Sequence, residues 1–218
     1  PFEFVDDAGR FTGLMSDYVT IIAQRLGIEL ETQVFESFAD LAQAMRDGSV
    51  DSASYLPMWP QVRREFSWSE PIISMPIAVF GKPDAALLLE ISALSQWRVA
   101  VEQPSRAQEI FSRRWPELEF TYVDSTRNGL LALRDRRVDY FVHNVFSVEY
   151  ERRELGIDAL KIALQTPYSF DVRISTRAEM APLVPMINRA VASLSDHERS
   201  LIFDKWVNTR DPDAMGWR

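Results

Sequence analysis

The stretch Phe38–Pro71, FADLAQAMRDGSVDSASYLPMWPQVRREFSWSEP, decides how the rest of the chain is read. Phe38, Leu41, Ala42 and Met45 recur at three- and four-residue spacing, which predicts a helix, and Gly48 supplies its stop. Val50–Tyr55 then predicts a short, small-sided buried strand. The loop after it carries Tyr55, Met58, Trp59, Arg63 and Arg64 at the strand's carboxyl end. Open α/β sheets bind ligands at that end, so this loop is expected to be half of a binding site.

The pattern returns later. Ala44-Met45-Arg46-Asp47-Gly48-Ser49-Val50-Asp51 is echoed by Ala132-Leu133-Arg134-Asp135-Arg136-Arg137-Val138-Asp139. Each is an amphipathic helix end, two turn residues, and Val-Asp opening a strand. The separation is too long for a solenoid period and predicts two similarly built α/β lobes.

Composition narrows the function classes. At 218 residues the chain can bury a sizeable core. Hydrophobic residues at 46% and charged residues at 26% are ordinary for a globular protein. A net charge of −8, from 24 Lys+Arg against 32 Asp+Glu, argues against a general nucleic-acid or anionic-membrane surface. The absence of Cys removes thiol catalysis, disulfides and cysteine-rich metal sites. No apolar run reaches membrane-span length and no signal peptide is visible. The opening at Pro1, without Met, is read as the start of a processed or excised piece.

In chain order, Ser16 or Asp17 is expected to cap a helix with Tyr18, Ile21, Ile22 and Leu26 on its apolar face, stopped by Gly27. Ile28–Phe35 reads as a strand. Ile72–Phe80 is an apolar run broken by Pro76 and too long for a simple strand; Gly81-Lys82-Pro83-Asp84 is a turn cluster, where the first lobe crossing is placed. Trp97–Val101, Phe120–Val123 and Val138–Val142 predict strands. Helices start after Pro104-Ser105, at Ser125 or Thr126, and at Asn144, the last closing at Gly156. Leu160–Leu164 and Tyr168–Ile174 predict two further strands, and Met180–Leu194 and Asp196–Val207 two closing helices packed on the first lobe. Strands alternating with helices predict a mostly parallel sheet in each lobe.

Catalytic motifs are missing. His197 sits in a charged helix and His143 follows a buried strand near the second lobe's carboxyl edge; neither has zinc-site spacing. There is no GxSxG elbow, P-loop or dinucleotide fingerprint. The arginines say more. Arg106 falls in the first turn of a helix beginning near Ser105, where free N–H groups and the dipole favour an anion. Arg63 follows the aromatic loop, and the planar guanidinium suits a carboxylate held through two bonds. A solvated arginine is the ordinary reading for either alone, as core packing is for Phe38, Tyr55 and Trp59; their gathering at one strand end is what favours a site.

These residues together resemble the family 3 extracellular solute-binding proteins, of the periplasmic-binding-protein type II fold, and within them the Venus-flytrap sensor domains of bacterial transmembrane sensor kinases. The resemblance covers nearly the whole chain. Pro1-Phe2-Glu3-Phe4, Asp7, Gly9, Gly13-Leu14 and Asp17-Tyr18 are similar to the family's opening. Phe38, Leu41, Ala44, Gly48, Val50 and Asp51 are similar to its helix and strand, and Trp68-Ser69-Glu70-Pro71 to its FSxPY. Val99-Ala100-Val101 and Val138-Asp139 match its second lobe, and Ser193 to Trp206 the closing helix of sensor members.

The resemblance implies an α/β fold of two Venus-flytrap lobes, 1–79 with 172–218 and 80–171, closing by a hinge on a small ligand in the interlobe cleft. Phe38 matches the aromatic that stacks on ligand, Tyr55 and Met58 hydroxyl or backbone contact positions, and Arg63 the carboxylate-binding arginine. In the second lobe Ser105 and Arg106 match the loop and helix start, and Asn144 the acidic residue that holds an amino group. Three positions depart from the pattern: Pro60 replaces a threonine, Pro104 a glycine and Asn144 an aspartate. The family's opening strand, expected before Pro1, is absent from the sequence. The neutral amide at 144 argues against an ordinary α-amino acid and for an organic acid. The expected protein is a periplasmic, membrane-tethered sensor domain with no cofactor and no chemistry. Its partners would be a carboxylate-bearing, organic-acid or amino-acid-like solute and a membrane-attached kinase or cyclase domain, with no nucleic acid. The alternatives are a free receptor of an ABC importer and, less favoured, a cyclohexadienyl-dehydratase-like enzyme.

Overall fold

The structure is a computed structural model and describes residues 3–6, 9–58 and 62–206. The chain opens with strands β1 (Phe4–Val5) and β2 (Phe11–Thr12), helices α1 (Leu14–Leu26) and α2 (Phe38–Asp47), β3 (Ser52–Ala53), the short α3 (Val62–Glu65) and β4 (Ser67–Trp68). There follow β5 (Ile73–Gly81), β6 (Val99–Glu102), α4 (Arg106–Arg114), β7 (Phe120–Val123), α5 (Thr126–Arg134), β8 (Tyr140–Asn144), α6 (Val145–Glu154) and β9 (Lys161–Val172). It closes with β10 (Ser175–Thr176), α7 (Val184–Ala192) and α8 (Asp196–Trp206). Two compact units result: unit 1 is Pro1–Ile73 with Asp171–Arg218, and unit 2 is Ser74–Phe170. The sequence placed the first crossing at 79/80, inside β5. Residues 77 to 81 of that strand pair with β8, which puts them in unit 2.

Unit 1 departs from the expected parallel sheet. The returning strand β10 lies between β3 and β4 and runs antiparallel to both, with Ser175 opposite Ala53 and Trp68. Chain re-entering through the second crossing meets these strands head-on, so the described ladders of unit 1 are antiparallel. The expected strand at Val50–Tyr55 shrinks to Ser52–Ala53. Ile28–Phe35 is not a strand. It has the alternating pattern, but no described strand offers it a ladder, and Ile28, Leu30 and Val34 stay exposed.

Local chemistry explains the helices of unit 1. The Ser37 hydroxyl accepts from the Asp40 N–H and caps α2, and Gly48 ends it at φ 79°, where a side chain would be strained. The helix buries Ala42 and Met45 against Ala53, Leu56, Val62 and Phe66, so α3 shares a core with α2. Helix α1 starts at Leu14, ahead of the expected Ser16 or Asp17 cap, because Gly13 makes the entry turn at φ 127°. The closing helices pack on α1 as expected. Arg25 pins them there: its guanidinium donates to the Ala190 carbonyl at 3.2 Å, the Ser193 hydroxyl at 2.8 Å and Glu198 at 2.6 Å.

Unit 2 is a five-stranded sheet in the order β7-β6-β8-β5-β9. Strand β6 runs parallel to both β7 and β8, while β5 is antiparallel to β8. The run broken by Pro76 is one strand after all, because its register with β8 begins at Ile77, beyond the proline's missing N–H. Likewise Lys161–Val172 is continuous where two strands were expected. Val79, Val101, Val142, Phe111 and Tyr140 form its core. The repeat has a structural counterpart. Gly48 and Arg136 both adopt positive φ, 79° and 56°, and Val50 and Val138 donate to the carbonyls of Ala44 and Ala132 at 3.2 and 3.3 Å.

Candidate functional site

In unit 1 two of the expected site aromatics, Phe38 and Tyr55, meet. Phe38, the first residue of α2, stands edge-on to Tyr55 with ring centroids 5.5 Å apart and an interplanar angle of 86°. Phe38 is 42% exposed and Met58 39%, so neither is core. Trp59, and Pro60 beside it, lie outside the described residues. Close enough to Tyr55 to act on it electrostatically is a residue the sequence reading did not single out as a site residue, Glu3. Burial pushes its carboxyl up to about 7 against a lowering hydrogen bond with the Ser54 side chain, and its Oε1 is buried with no partner among the described residues. Burial, with Glu3 nearby, pushes the Tyr55 hydroxyl up to about 12, so it stays a neutral donor.

Arg63 is held on α3 by buried Val62, and its carbonyl accepts from the Trp68 indole at 3.3 Å. The adjacent acid, Glu65, is taken by Arg46 at 2.6 Å. The Arg63 side chain is exposed and has no ion-pair partner among the described residues. A guanidinium without an ion-pair partner among the described residues has N–H groups that can donate in pairs to a carboxylate.

In unit 2 the predicted residues lie at helix starts beside the carboxyl ends of parallel strands. Ser105 caps α4 by accepting from the Gln108 N–H, and Arg106 pairs with Glu109 at 2.7 Å in an exposed contact. Asn144 caps α6: its Oδ1 accepts from the Ser147 N–H at 2.8 Å and its Nδ2 donates to the Ser147 hydroxyl at 3.1 Å. It is 7% exposed, so its amide is committed to the helix start.

Between them lies a network that sequence spacing does not reveal. The Thr126 hydroxyl donates to Glu102 Oε2 at 2.7 Å. Nε2 of His143 lies 2.9 Å from the same hydroxyl and 3.2 Å from the same carboxylate oxygen. With the one hydroxyl proton given to Glu102, Nε2 must carry the proton toward both. Burial raises the Glu102 carboxyl, but the bonds and charge of His143 and the Thr126 hydroxyl outweigh it and hold it below its ordinary value. Nδ1 of His143 is buried without a partner among the described residues. A hydroxyl nucleophile needs a bare ring nitrogen facing it and an acid on the opposite nitrogen. Here acid and hydroxyl crowd one protonated nitrogen, so this is a positioning network rather than a nucleophile–base relay. Among the described residues no group of three or more His, Asp or Glu could hold a metal ion.

The sequence profile of the bacterial extracellular solute-binding proteins, family 3, matches residues 1–209. The chain belongs to that family. As a family 3 solute-binding protein it is 22% identical over 219 residues to the virulence sensor protein BvgS of Bordetella bronchiseptica, covering 100% of this chain and 18% of BvgS. The chain thus spans about a fifth of that sensor's length. It is 21% identical over 211 residues to the ABC transporter arginine-binding protein 1 of Escherichia coli, covering 94% of this chain and 86% of that protein. The crystal structure of the Bordetella pertussis BvgS periplasmic VFT2 domain superposes with a TM-score of 0.76 at 21% identity, over 94% of this chain and 88% of that one. At that identity the likeness is one of fold, and it is the two-lobed α/β fold expected from the sequence. No described helix is long and apolar enough to cross a membrane.

Proposed function

We propose that the chain is the periplasmic, membrane-tethered ligand-binding domain of a signalling protein, taking a small carboxylate-bearing solute without turning it over. The observation that carries this reading is Arg63, an exposed guanidinium without an ion-pair partner among the described residues, on the same unit as the half-exposed Phe38–Tyr55 pair. Phe38, Tyr55, Met58 and Trp59 would cover the apolar part of the solute; Ser105, Arg106 and Asn144 would line the unit 2 portion. Arg106 can exchange Glu109 for a ligand carboxylate at small cost, because exposed ion pairs contribute little. The sensor role is supported by the match to one fifth of BvgS, a span fitting one domain of a larger sensor. Its partner would be a kinase or cyclase domain, on the same chain or attached to the membrane. The solute would act on it only through different affinities for the conformational states of this domain. The match over 86% of an arginine-binding transport protein favours a second reading, a free receptor for an importer. Calorimetry against a panel of organic acids and amino acids tests the binding claim. Arg63→Ala should weaken the best binder about tenfold to a hundredfold, and Arg63→Lys should recover little of it. Unchanged affinity in Arg63→Ala would remove the carboxylate anchor. Ligand-dependent autophosphorylation of the full-length protein would separate sensor from transport receptor.

A further inference from the structure

Unit 2 carries a second surface, at the ends of its strands away from Asn144. Trp97 and Arg98 lead into β6 and Asp139 leads into β8, so all three lie at the amino ends of the parallel strands. The loop 82–90 meets them there. Its Leu88 is buried, while the neighbours Leu87 and Leu89 are 66% and 96% exposed. A single exposed leucine on a loose loop needs no explanation. This loop is held at four points. The Ala85 N–H donates to the Lys82 carbonyl and the Leu88 N–H to the Ala163 carbonyl, both at 2.9 Å. The Ala85 carbonyl accepts from Lys161 Nζ at 2.9 Å and the Ala86 carbonyl from the Tyr140 hydroxyl at 3.0 Å. Trp97, 42% exposed, stands edge-on to the same tyrosine with ring centroids 5.5 Å apart. Leu87, Leu89 and Trp97 are therefore apolar groups presented on a fixed backbone around Tyr140, as at the centre of a protein interface.

The charges around them are interleaved. Arg136 pairs with Asp84 at 3.0 Å, Arg98 with Asp139 at 2.7 Å and Arg134 with Asp135 at 2.8 Å. Lys82 donates to the Arg134 carbonyl at 3.1 Å. Glu90 follows Leu89, and Arg137 lies beside Arg136. Together with Lys161 these leave a small positive excess, in a chain whose net charge is −8. An anionic bilayer taking up the leucines would also have to take up Asp84 and Glu90, which bracket them in the loop. A second copy of the chain fits better. It brings the same apolar centre and the same mixed rim, and a twofold axis can set the cations of one face against the acids of the other. The repulsion between two acidic chains is also weakest where their surface is not acidic.

We infer that the face formed by Leu87, Leu89 and Trp97, rimmed by Asp84, Arg98 and Arg136, pairs with the same face of a second copy. The inference does not depend on the solute-binding role, because Ser105, Arg106 and Asn144 lie toward the other ends of the same strands.

Sedimentation equilibrium of the full chain at physiological salt, from micromolar to millimolar concentration, tests it. A face this small predicts a weak, reversible dimer rather than a permanent one. Leu87→Ser combined with Leu89→Ser should weaken the dimer about tenfold or more. Both positions are exposed, so the fold is kept. Asp84→Lys, also an exposed change, separates the possible occupants. It leaves the rim mostly cationic, so it should weaken pairing with a second copy and strengthen attachment to an anionic lipid surface. A chain that stays monomeric at millimolar concentration, or a dimer that the leucine substitutions leave unchanged, would overturn the inference. So would a monomer that floats with phosphatidylglycerol vesicles and does so more strongly as Asp84→Lys, which would assign the face to a membrane.

Discussion

Glu3 makes the stability of unit 1 depend on pH in a direction unusual for a carboxylate. Its ordinary value is 4.5 and its folded value about 7, with burial as the main cause. Below the ordinary value it is protonated in both folded and unfolded chain and contributes nothing to the pH slope. As pH rises the unfolded chain ionises first, so stability is lost between about 4.5 and 7 and the loss is complete above 7. Ionising roughly two to three pH units late corresponds to about 3 kcal/mol. Glu3→Gln keeps the shape and cannot ionise. Chemical denaturation of both proteins from pH 5 to pH 8 measures the difference. The unmodified chain should lose about 3 kcal/mol more than Glu3→Gln across that interval, and the variant should be the more stable protein at pH 8. Working above pH 5 avoids the opposite contributions of Glu102 and Glu198, whose lowered values cost stability only as the solution becomes more acid. Parallel pH slopes for the two proteins would refute the assignment of a buried, late-ionising Glu3.

Two further substitutions probe unit 2. A Cβ at Gly129 would stand 2.5 Å from the Phe141 ring, so Gly129→Ala should cost about 1–3 kcal/mol in denaturant melts despite its gain in helix propensity. Asn144→Ala removes the acceptor of the buried Ser147 N–H and should cost about 1–3 kcal/mol; Asn144→Asp, which keeps the cap, should cost far less.

The elements legible in the sequence are those whose signals are local. Ser37 and Gly48 frame α2, Ser105 and Ser125 cap α4 and α5, and Phe120–Val123 is the observed strand, because caps, left-handed stops and short apolar runs act within a turn of themselves. The echo around Gly48 was readable for the same reason, and it correctly marked Arg136 as its structural counterpart. What failed depended on partners. Ile28–Phe35 has a strand's alternation but needs a ladder that no described strand supplies. Strand β10 reverses the expected direction of the unit 1 sheet because a two-residue strand says nothing about which neighbours it will join. Arg63, Phe38 and Tyr55 could be singled out as candidates because they cluster within one loop and the helix before it. Glu102, Thr126 and His143 lie 17 to 41 residues apart and meet only where three strand and helix ends converge. The parallel pairing of β6 with β8 is the one sequence-level hint that could have brought Glu102 beside His143.

The central claim is that the chain holds a carboxylate-bearing solute through Arg63. A native mass spectrum of the freshly purified protein, recorded beside that of Arg63→Ala, tests it most directly. The account predicts a co-purified small molecule bearing a carboxylate on the unmodified chain and its loss from the variant. A bound molecule without a carboxylate, or one retained equally by Arg63→Ala, would contradict it.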